Sequence, residues 1–236
     1  MNETNAKVFL MDVTVIISAY KDRGYLDECI KSVLGQSFAR PYQIILSSDG
    51  NGELSSFATK YGLDFVLSEK MNHSTALNNA IKASRGVWIK EVHDDDLLTK
   101  DSLRNLWDAK GAGDIVYGNA EHVRNGRSFR THKSPQSVNI KSFLPVMTNP
   151  VHGGTLFFKR DVFLAVGGLD PNMQYAEEYE FYFNLLSHGY IFEYCDSVVA
   201  LYRVHNEQQT RYFTTPIVNQ TRQYIQNKYR AYLSKV

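Results

Sequence analysis

Three consecutive aspartates, Asp94, Asp95 and Asp96, follow the partly apolar run of residues 87–93 and precede two leucines. Neighbouring carboxylates repel one another and raise each other's pKa unless a positive group neutralises them. A divalent cation with oxygen ligands is a common neutralising group. The other interpretation is a solvated turn before a helix capped by Thr99, with the acids near the positive helix end. The triplet therefore predicts either a metal site or an acidic helix lead-in.

The elements around the triplet indicate where it lies in the fold. Short runs rich in Val, Ile and Leu are typical of parallel strands buried on both faces. Such runs occupy residues 13–18, 43–47, 64–67 and 87–89. Helical patterns separate them, at residues 25–36, 54–61 and 74–84. Gly35, Gly62 and Gly86 stand at or near the ends of these helices, as C-terminal stops do. The alternation predicts right-handed crossovers and a doubly wound α/β sheet.

Ligands of such sheets bind at the carboxyl ends of the strands. Three polar clusters fall there: residues 18–20 after the first strand, residues 48–52 after the second, and the aspartate triplet after the fourth. The sequence therefore predicts that these three clusters share one edge of the sheet.

The second half of the chain has a less regular pattern. A polar stretch, residues 119–137, predicts a hairpin that turns at Asn125 and Gly126. The remaining predicted strands are residues 114–117, 155–158, 190–194 and 198–202, and the predicted helices are residues 101–109, 160–166, 177–187 and 216–233. We expect residues 1–236 to form one domain, with a first half at residues 13–118, an irregular second half at residues 119–212 and a C-terminal helix at residues 213–236.

Composition limits the partners of the chain. Its 236 residues, 43% of them hydrophobic, can bury one sizeable core, and a formal net charge of +1 makes nucleic acid a poor partner. Cys29 and Cys195 lack metal-site spacing, which favours a reduced, cytoplasmic compartment. No apolar run is long enough to span a bilayer, so any membrane contact is expected to be peripheral. The tail residues that would make it are Tyr224, Tyr229, Arg230, Tyr232 and Lys235.

The order and spacing of several motifs, from about residue 13 to residue 205, resemble those of family 2 glycosyltransferases. The motifs are residues 15–20, 26–37, 48–50 (Ser-Asp-Gly), 80–89, 93–96 (His-Asp-Asp-Asp), 167–170 (Gly-Gly-Leu-Asp), 177–180 (Glu-Glu-Tyr-Glu) and 202–205 (Tyr-Arg-Val-His). The resemblance implies a GT-A (Rossmann-like) fold, with a mixed, mostly parallel sheet flanked by helices. It also implies an inverting, metal-dependent transferase that moves a sugar from a nucleotide-diphosphate donor, with a UDP-sugar favoured, to a hydroxyl of a glycan or glycolipid. The first half would bind the nucleotide-sugar and the second half the acceptor.

The same resemblance assigns donor and metal roles. Asp49 would accept hydrogen bonds from the base, which Ser18, Ala19 and Tyr20 would bracket. Asp95 is the favoured ligand for Mn²⁺ or Mg²⁺, with Asp94 on the ribose side. Which two of the three acids bind the metal and the ribose depends on how the motif aligns with the family, because His93 stands where many members carry the first Asp. Further candidates are Asp96 and His205 for the metal, and Arg203 and Arg211 for phosphate oxygens.

The catalytic and acceptor roles fall in the second half. Glu178 occupies the position of the family's catalytic Asp, with Glu177 before it, and would take the proton of the acceptor hydroxyl. An acidic first turn of a helix is the alternative explanation for both. His152, Gly153 and Gly154 are the acceptor-side candidates.

Two departures from the family pattern concern the donor side. Ser48 replaces an acid, and Leu77 replaces an Arg for which Asn72 and His73 would compensate.

Two other functions compete with an active transferase. A non-catalytic nucleotide-sugar or glycan-binding module of the same fold would also explain the Glu-Glu pair and the absent Arg. A nucleotidyltransferase shares similar acid chemistry, but no Gly-rich phosphate loop with a downstream Lys follows the first strand.

Overall fold

The computed structural model describes residues 11–69, 72–143, 149–208 and 215–233. Residues 231–233 are described without their side chains. The centre of the molecule is strand β1 (Met11–Ala19), whose residues Val13, Val15, Ile16 and Ile17 are fully buried. Branched side chains on both faces of the strand explain this, because each face is covered by helices. Strand β1 pairs in parallel with β2 (Tyr42–Asp49) on one side and β4 (Gly86–His93) on the other, and β3 (Asp64–Ser68) extends the sheet beyond β2.

The sheet continues past β4 with strands of both directions. These strands are β5 (Leu97–Leu98), β6 (Ile115–Arg124), β7 (Arg127–His132), β8 (Phe157–Lys159) and β9 (Phe192–Arg203). Strand β8 pairs antiparallel with β4 and β6, β9 runs parallel to β6, and β5 closes the edge. Within the described residues the order is β3-β2-β1-β4-β8-β6-β9-β5, with β7 forming a hairpin with β6. The mixed, helix-flanked sheet of the prediction is therefore confirmed.

Helices cover both faces of the sheet. They are α1 (Leu26–Leu34), α2 (Ser55–Tyr61), α3 (His73–Ala83), α4 (Ser102–Ala109), α5 (Ile140–Phe143), α6 (Arg160–Ala165), α7 (Glu177–Ser187) and α8 (Pro216–Leu233). One core contains side chains of α3, α7 and α8, such as Leu77, Phe183 and Ile225. The other contains side chains of α1 and α4, such as Ile30 and Leu103.

The β6–β7 hairpin turns where the sequence predicts. Asn125 (φ 51°) and Gly126 (φ 72°) both have positive φ, which a two-residue turn of this type requires. Asn and Gly are the residues that adopt this conformation at least cost, so the dipeptide alone fixes the turn.

Four local predictions are corrected by the structure. Gly86 is the first residue of β4 rather than a helix stop, because α3 already ends at Ala83. The two strands predicted at residues 190–194 and 198–202 form one strand, β9. Thr99 does not cap α4, since its hydroxyl donates to the Val198 carbonyl oxygen (2.8 Å). The apolar spacing of residues 25–36 predicts that Leu34 shares a buried stripe with Leu26, Ile30 and Val33, but Leu34 is the last residue of α1 and is exposed.

The C-terminal helix α8 is docked on the core. Tyr229 is buried, and its hydroxyl donates to Glu180 (2.6 Å), as does the Lys228 ammonium (2.7 Å). Tyr229 is therefore not available to a membrane surface, which corrects that part of the tail prediction. Tyr224 is exposed, whereas the side chain of Tyr232 and all of Lys235 lie outside the described residues.

Candidate active site

The three polar clusters share one edge of the sheet, as the sequence predicts. Ser18 pairs in register with His93, and Ala19 pairs with Ser48. The Asp94 N–H also donates to the Ser18 carbonyl oxygen (3.0 Å). The carboxyl ends of β1, β2 and β4 therefore meet where ligands of parallel sheets bind.

The three aspartates have different partners. Asp94 accepts from the Arg23 guanidinium (3.3 Å), while burial and the charge of Asp95 raise its pKa to about 6. Asp96 accepts from the Arg203 backbone N–H (2.8 Å), and burial with the charge of Asp95 raises its pKa to about 7. Asp95 is the most open of the three.

The carboxylate of Asp95 faces the C-terminal His205. His205 Nε2 lies 3.0 Å from Asp95 Oδ2. The Glu207 backbone N–H donates to Nδ1 (3.2 Å), which helps to hold the ring in place. The ring also packs against Tyr25, with 5.0 Å between centroids. Two predicted metal residues, 110 positions apart in the chain, are thus brought together.

The residues around Asp95 fit a divalent cation. Ligand atoms of His93, Asp95 and Asp96 lie within 4.8 Å of one another, and His205 approaches Asp95 as described. Mixed carboxylate and imidazole ligands suit Mn²⁺, whereas Mg²⁺ prefers oxygen ligands alone. Of the two predicted ions, Mn²⁺ therefore fits this set better.

Without a bound metal, His93 is itself a cation at this edge, and it would release its proton on binding a metal ion. Burial lowers the pKa of the imidazole, but the carboxylates of Glu91, Glu178, Asp96 and Asp95 outweigh that effect and raise it to about 9. A protonated ring at this position offsets part of the repulsion among the acids. It also indicates that the carboxylate of Glu178 lies close to the aspartate triplet.

Glu178 lies in the first turn of α7, behind a strained residue. Ala176 has positive φ (60°), a conformation that is uncommon outside Gly, Asn and Asp. The carboxylate packs against the acceptor-side loop, where a Cβ added to Gly153 would lie 2.4 Å from Glu178 Oε2. Burial raises the pKa of Glu178, and Glu91 and Glu177 add to the rise. A carboxyl with a raised pKa is suited to accept a proton near neutral pH.

The acceptor-side loop is held by two contacts. Lys90, buried in β4, donates to the Gly154 carbonyl oxygen (2.7 Å), and burial lowers its pKa to about 8. The Gly154 N–H donates to His152 Nδ1 (3.2 Å). Burial, followed by the charges of His132 and His122, lowers the pKa of His152 to about 3. The His152 ring is therefore neutral, which suits a positioning role.

Aromatic rings extend from His152 towards the hairpin. Tyr202 lies 4.8 Å from the His152 ring and 5.0 Å from the His122 ring, between centroids. The exposed Phe129 packs at 6.1 Å from His122. We call His152, Tyr202, His122 and Phe129 the aromatic track; it leads from the loop beside Glu178 to the hairpin surface.

The donor-side candidates are close together but already bonded. Asp49 accepts from the Asn72 N–H, and burial raises its pKa. Asn72 caps α3 through Oδ1, which accepts from the Thr75 N–H (3.0 Å). Ser18 donates to Glu91 (2.6 Å) rather than standing free.

The remaining donor-side candidates differ in exposure. Tyr20 is exposed and Ala19 is buried. Arg203 pairs with Glu28 (2.9 Å) and stacks on Tyr25, whereas Arg211 lies outside the described residues.

Three residues of the site were not predicted. Glu91 could have been found from its spacing, since it lies two residues before His93 on the same face of β4. Arg23 lies in the loop after β1, at the predicted ligand edge. Tyr182, one turn after Glu178 in α7, carries a buried hydroxyl without a hydrogen-bond partner in the described part of the chain. The sequence alone does not show that this hydroxyl is unpartnered.

A cleft of about 1200 Å³ opens beside the Asp95–His205 pair. Arg23, Tyr25, Arg203 and His205 contribute to its lining. Neither Asp49 nor Glu178 lines this cleft, so it adjoins the predicted donor site without coinciding with it.

A mixed α/β sheet with carboxylates and imidazoles gathered at its carboxyl edge is an arrangement in which open sheets bind ligands. Residues 14–165 match the family model described as Glycosyl transferase family 2. The chain belongs to this family.

Sequence relatives carry the same description. The chain is 28% identical over 215 residues to an uncharacterized glycosyltransferase of Rickettsia conorii, covering 84% of this chain and 35% of that protein. It is 24% identical over 237 residues to the uncharacterized glycosyltransferase EpsJ of Bacillus subtilis, covering 93% of this chain and 68% of EpsJ. The chain thus spans about a third of the length of the Rickettsia conorii relative.

Solved structures share the fold. The crystal structure of S. aureus TarS 1-349 in complex with UDP-GlcNAc superposes with a TM-score of 0.70 at 14% identity, covering 94% of this chain and 72% of that one. TarS 1-349 in complex with UDP gives a TM-score of 0.65 at 15% identity, covering 93% and 70%. The predicted GT-A fold is confirmed. No helix within the described residues is both long enough and apolar enough to cross a membrane.

Proposed function

We propose that the chain is an inverting, metal-dependent glycosyltransferase that moves a sugar from a UDP-sugar to a hydroxyl of a glycan or glycolipid. The proposal rests on the presence of two acids with different surroundings, Asp95 and Glu178, near the carboxyl edge of the sheet. Asp95 faces His205, whereas the Glu178 carboxylate packs against Gly153 and has a raised pKa. Two carboxylates held by different partners can divide two roles between them, one as a metal ligand and one as a base.

The nucleotide part of the donor is assigned to the ends of β1, β2 and β4. Asp49 offers a carboxylate for the base, and Asp94 offers one for the ribose hydroxyls. Arg23, bonded to Asp94, brings a positive charge beside the place of the diphosphate. The likeness of the fold to TarS, whose structures contain UDP-GlcNAc and UDP, supports a uridine nucleotide.

Asp95 and His205 would hold the metal ion, with Asp96 or His93 as further ligands. Such an ion neutralises the charge that develops on the leaving diphosphate. Asp96 also anchors the end of β9 through the Arg203 N–H, so its ligand role would use its second oxygen. The mixed ligand set favours Mn²⁺ over Mg²⁺.

Glu178 is the proposed base. As the acceptor oxygen attacks the anomeric carbon, Glu178 takes the hydroxyl proton and the diphosphate leaves on the opposite face, which inverts the configuration. Gly153 leaves room for the carboxylate, and Lys90 holds the neighbouring Gly154 in place. His152, neutral and packed against Tyr202, would orient the acceptor.

The test measures UDP binding by calorimetry, with and without Mn²⁺, and UDP release from UDP-sugars in the presence of candidate acceptors. We expect Mn²⁺ to tighten UDP binding, and Asp95→Asn to remove that effect. Asp161→Asn, at an exposed acid of α6, is the matched control. Absence of metal-dependent binding of UDP would overturn the metal and donor assignments.

The same assay separates an active enzyme from a binding module. Turnover that is lost in Glu178→Gln while UDP binding persists supports the transferase. Binding of UDP-sugars with no turnover on any acceptor favours the non-catalytic module instead.

A further inference from the structure

A second group of metal-type ligands lies beside the site just described. His73 at the start of α3 and Glu91 and His93 on β4 place one ligand atom each within 4.8 Å of one another. His73 and Glu91 have no part in the proposed binding of the metal ion that accompanies the diphosphate. Their position on neighbouring elements makes the group a consequence of the fold rather than of one flexible loop.

The distances within this group suit a bound ion better than hydrogen bonds. Glu91 Oε1 lies 3.5 Å from His73 Nε2 and 3.7 Å from His93 Nε2. Both separations exceed the usual length of a hydrogen bond from nitrogen to oxygen. Ligands at about 2.0–2.1 Å from a tetrahedral ion are about 3.3–3.4 Å apart, so each imidazole lies within a few tenths of an ångström of that separation from Glu91.

A second observation also points to a bound cation at this group. His73 Nε2 is buried and has no hydrogen-bond partner in the described residues. A buried polar atom without a partner is costly, and a bound cation would satisfy it. The His73 and His93 rings meet edge to face, with 5.4 Å between centroids, so both can direct a nitrogen towards Glu91.

Glu91 is already oriented for such a role. The Ser18 hydroxyl donates to Glu91 Oε1 (2.6 Å), which fixes the carboxylate while leaving it a further lone pair. Outer hydrogen bonds of this kind are usual around the ligands of metal sites.

We propose that His73, Glu91 and His93 form a second metal site, which binds Zn²⁺ or a similar transition ion without requiring nucleotide. Two imidazoles and one carboxylate suit Zn²⁺ and Co²⁺ and are a poor set for Mg²⁺ or Ca²⁺. Three protein ligands leave one coordination position open, as in catalytic-type zinc sites. This inference does not depend on the proposed transfer reaction.

The experiment is a titration of the metal-free, tag-free full chain with Co²⁺ in the absence of nucleotide, followed by visible absorption, and a parallel calorimetric titration with Zn²⁺. We expect one ion to bind with the absorption of a four-coordinate cobalt site. His73→Ala and Glu91→Gln should each weaken binding at least about tenfold. His188→Ala, at an exposed histidine of another surface, should bind as the unaltered chain does.

Asp95→Asn separates the two metal sites. It should abolish the Mn²⁺ dependence of UDP binding but retain Zn²⁺ binding, so failure of either assignment is visible independently. The inference is overturned if the unaltered chain binds no Co²⁺ or Zn²⁺, if His73→Ala binds as tightly as the unaltered chain, or if Asp95→Asn abolishes binding. Thermal unfolding of each variant, with His73→Gln as a second substitution, identifies losses caused by misfolding.

Discussion

Identical residue types have different roles in this site because their surroundings differ. Asp94 meets the Arg23 guanidinium and Asp96 meets a backbone N–H, whereas Asp95 faces the ring of His205. The sequence leaves open which of the three aspartates binds the metal ion, and these different partners give a physical basis for choosing among them. The acid least committed to the protein's own groups is the one best able to bind an ion, which supports Asp95.

Glu178→Gln tests the role of Glu178 as the proposed base. The amide keeps the size of the side chain but cannot take a proton, so kcat should fall at least about 100-fold while UDP binding is unchanged. Because burial raises the pKa of Glu178 and the base must be ionised, kcat/KM of the unaltered enzyme should rise with pH through a value above the usual Glu range. Steady-state kinetics across pH measures both. A variant with the same rate and pH profile would contradict the assignment.

His93→Gln tests whether the positive charge of the His93 ring stabilises the folded protein. The folded-state pKa, about 9, is above the usual 6.5, so the folded protein binds the proton more tightly than the unfolded chain. The resulting stabilisation is fully present below pH 6.5 and is lost as pH rises through 9. Urea unfolding without metal should show a larger difference between unaltered and variant chains at about pH 6 than at about pH 10. An equal difference at both would exclude the electrostatic explanation.

At the scale of elements, periodicity predicts the helices and the buried strands well. Helices α7 and α8 have the bounds that the sequence indicates, because their apolar spacing and their flanking residues agree. Strand β9 was divided in two because residues 195–197 look like a break. In the fold β9 pairs with β6 on both sides of this segment, with Tyr194 opposite Tyr117 and Val198 opposite Asn119. Such pairing depends on the neighbouring strand and has no signal in the local pattern.

Gly86 illustrates a second limit of sequence reasoning. Its backbone packs so closely on β1 that an added Cβ would lie 2.2 Å from the Thr14 nitrogen. Two backbone segments cannot separate without loss of the parallel pairing, so Gly86→Ala should lower the free energy of unfolding by about 2 kcal/mol or more. Gly52→Ala is the control, since its nearest neighbour, Leu67 Cδ2, is at an ordinary 3.8 Å. Chemical unfolding of both variants measures the difference; equal losses would contradict the explanation.

At the scale of the whole molecule, the site joins segments that are distant in the sequence. Asp95 meets His205 across 110 residues, and Gly153 meets Glu178 through the packing of α7 beside the sheet. The family resemblance predicts the members of this site, because it carries long-range information that periodicity lacks. It does not predict Glu91, Arg23 or the outer part of the aromatic track, His122 and Phe129, which arise from this chain's own packing.

The aromatic track predicts where the acceptor lies. Phe129 is exposed at its outer end, and sugar rings stack on exposed aromatic faces with an energy of about 1 kcal/mol. Phe129→Ala should therefore raise the KM for the acceptor that supports turnover about fivefold, with kcat, the KM for the donor and the unfolding free energy nearly unchanged. Tyr224→Ala, at an equally exposed ring on α8, is the matched control and should leave acceptor kinetics unaltered. Because Phe129 is far along the track from Glu178, its effect should grow with acceptor length, being smallest for a single sugar unit. A Phe129→Ala enzyme with an unchanged acceptor KM for long acceptors would place the acceptor elsewhere.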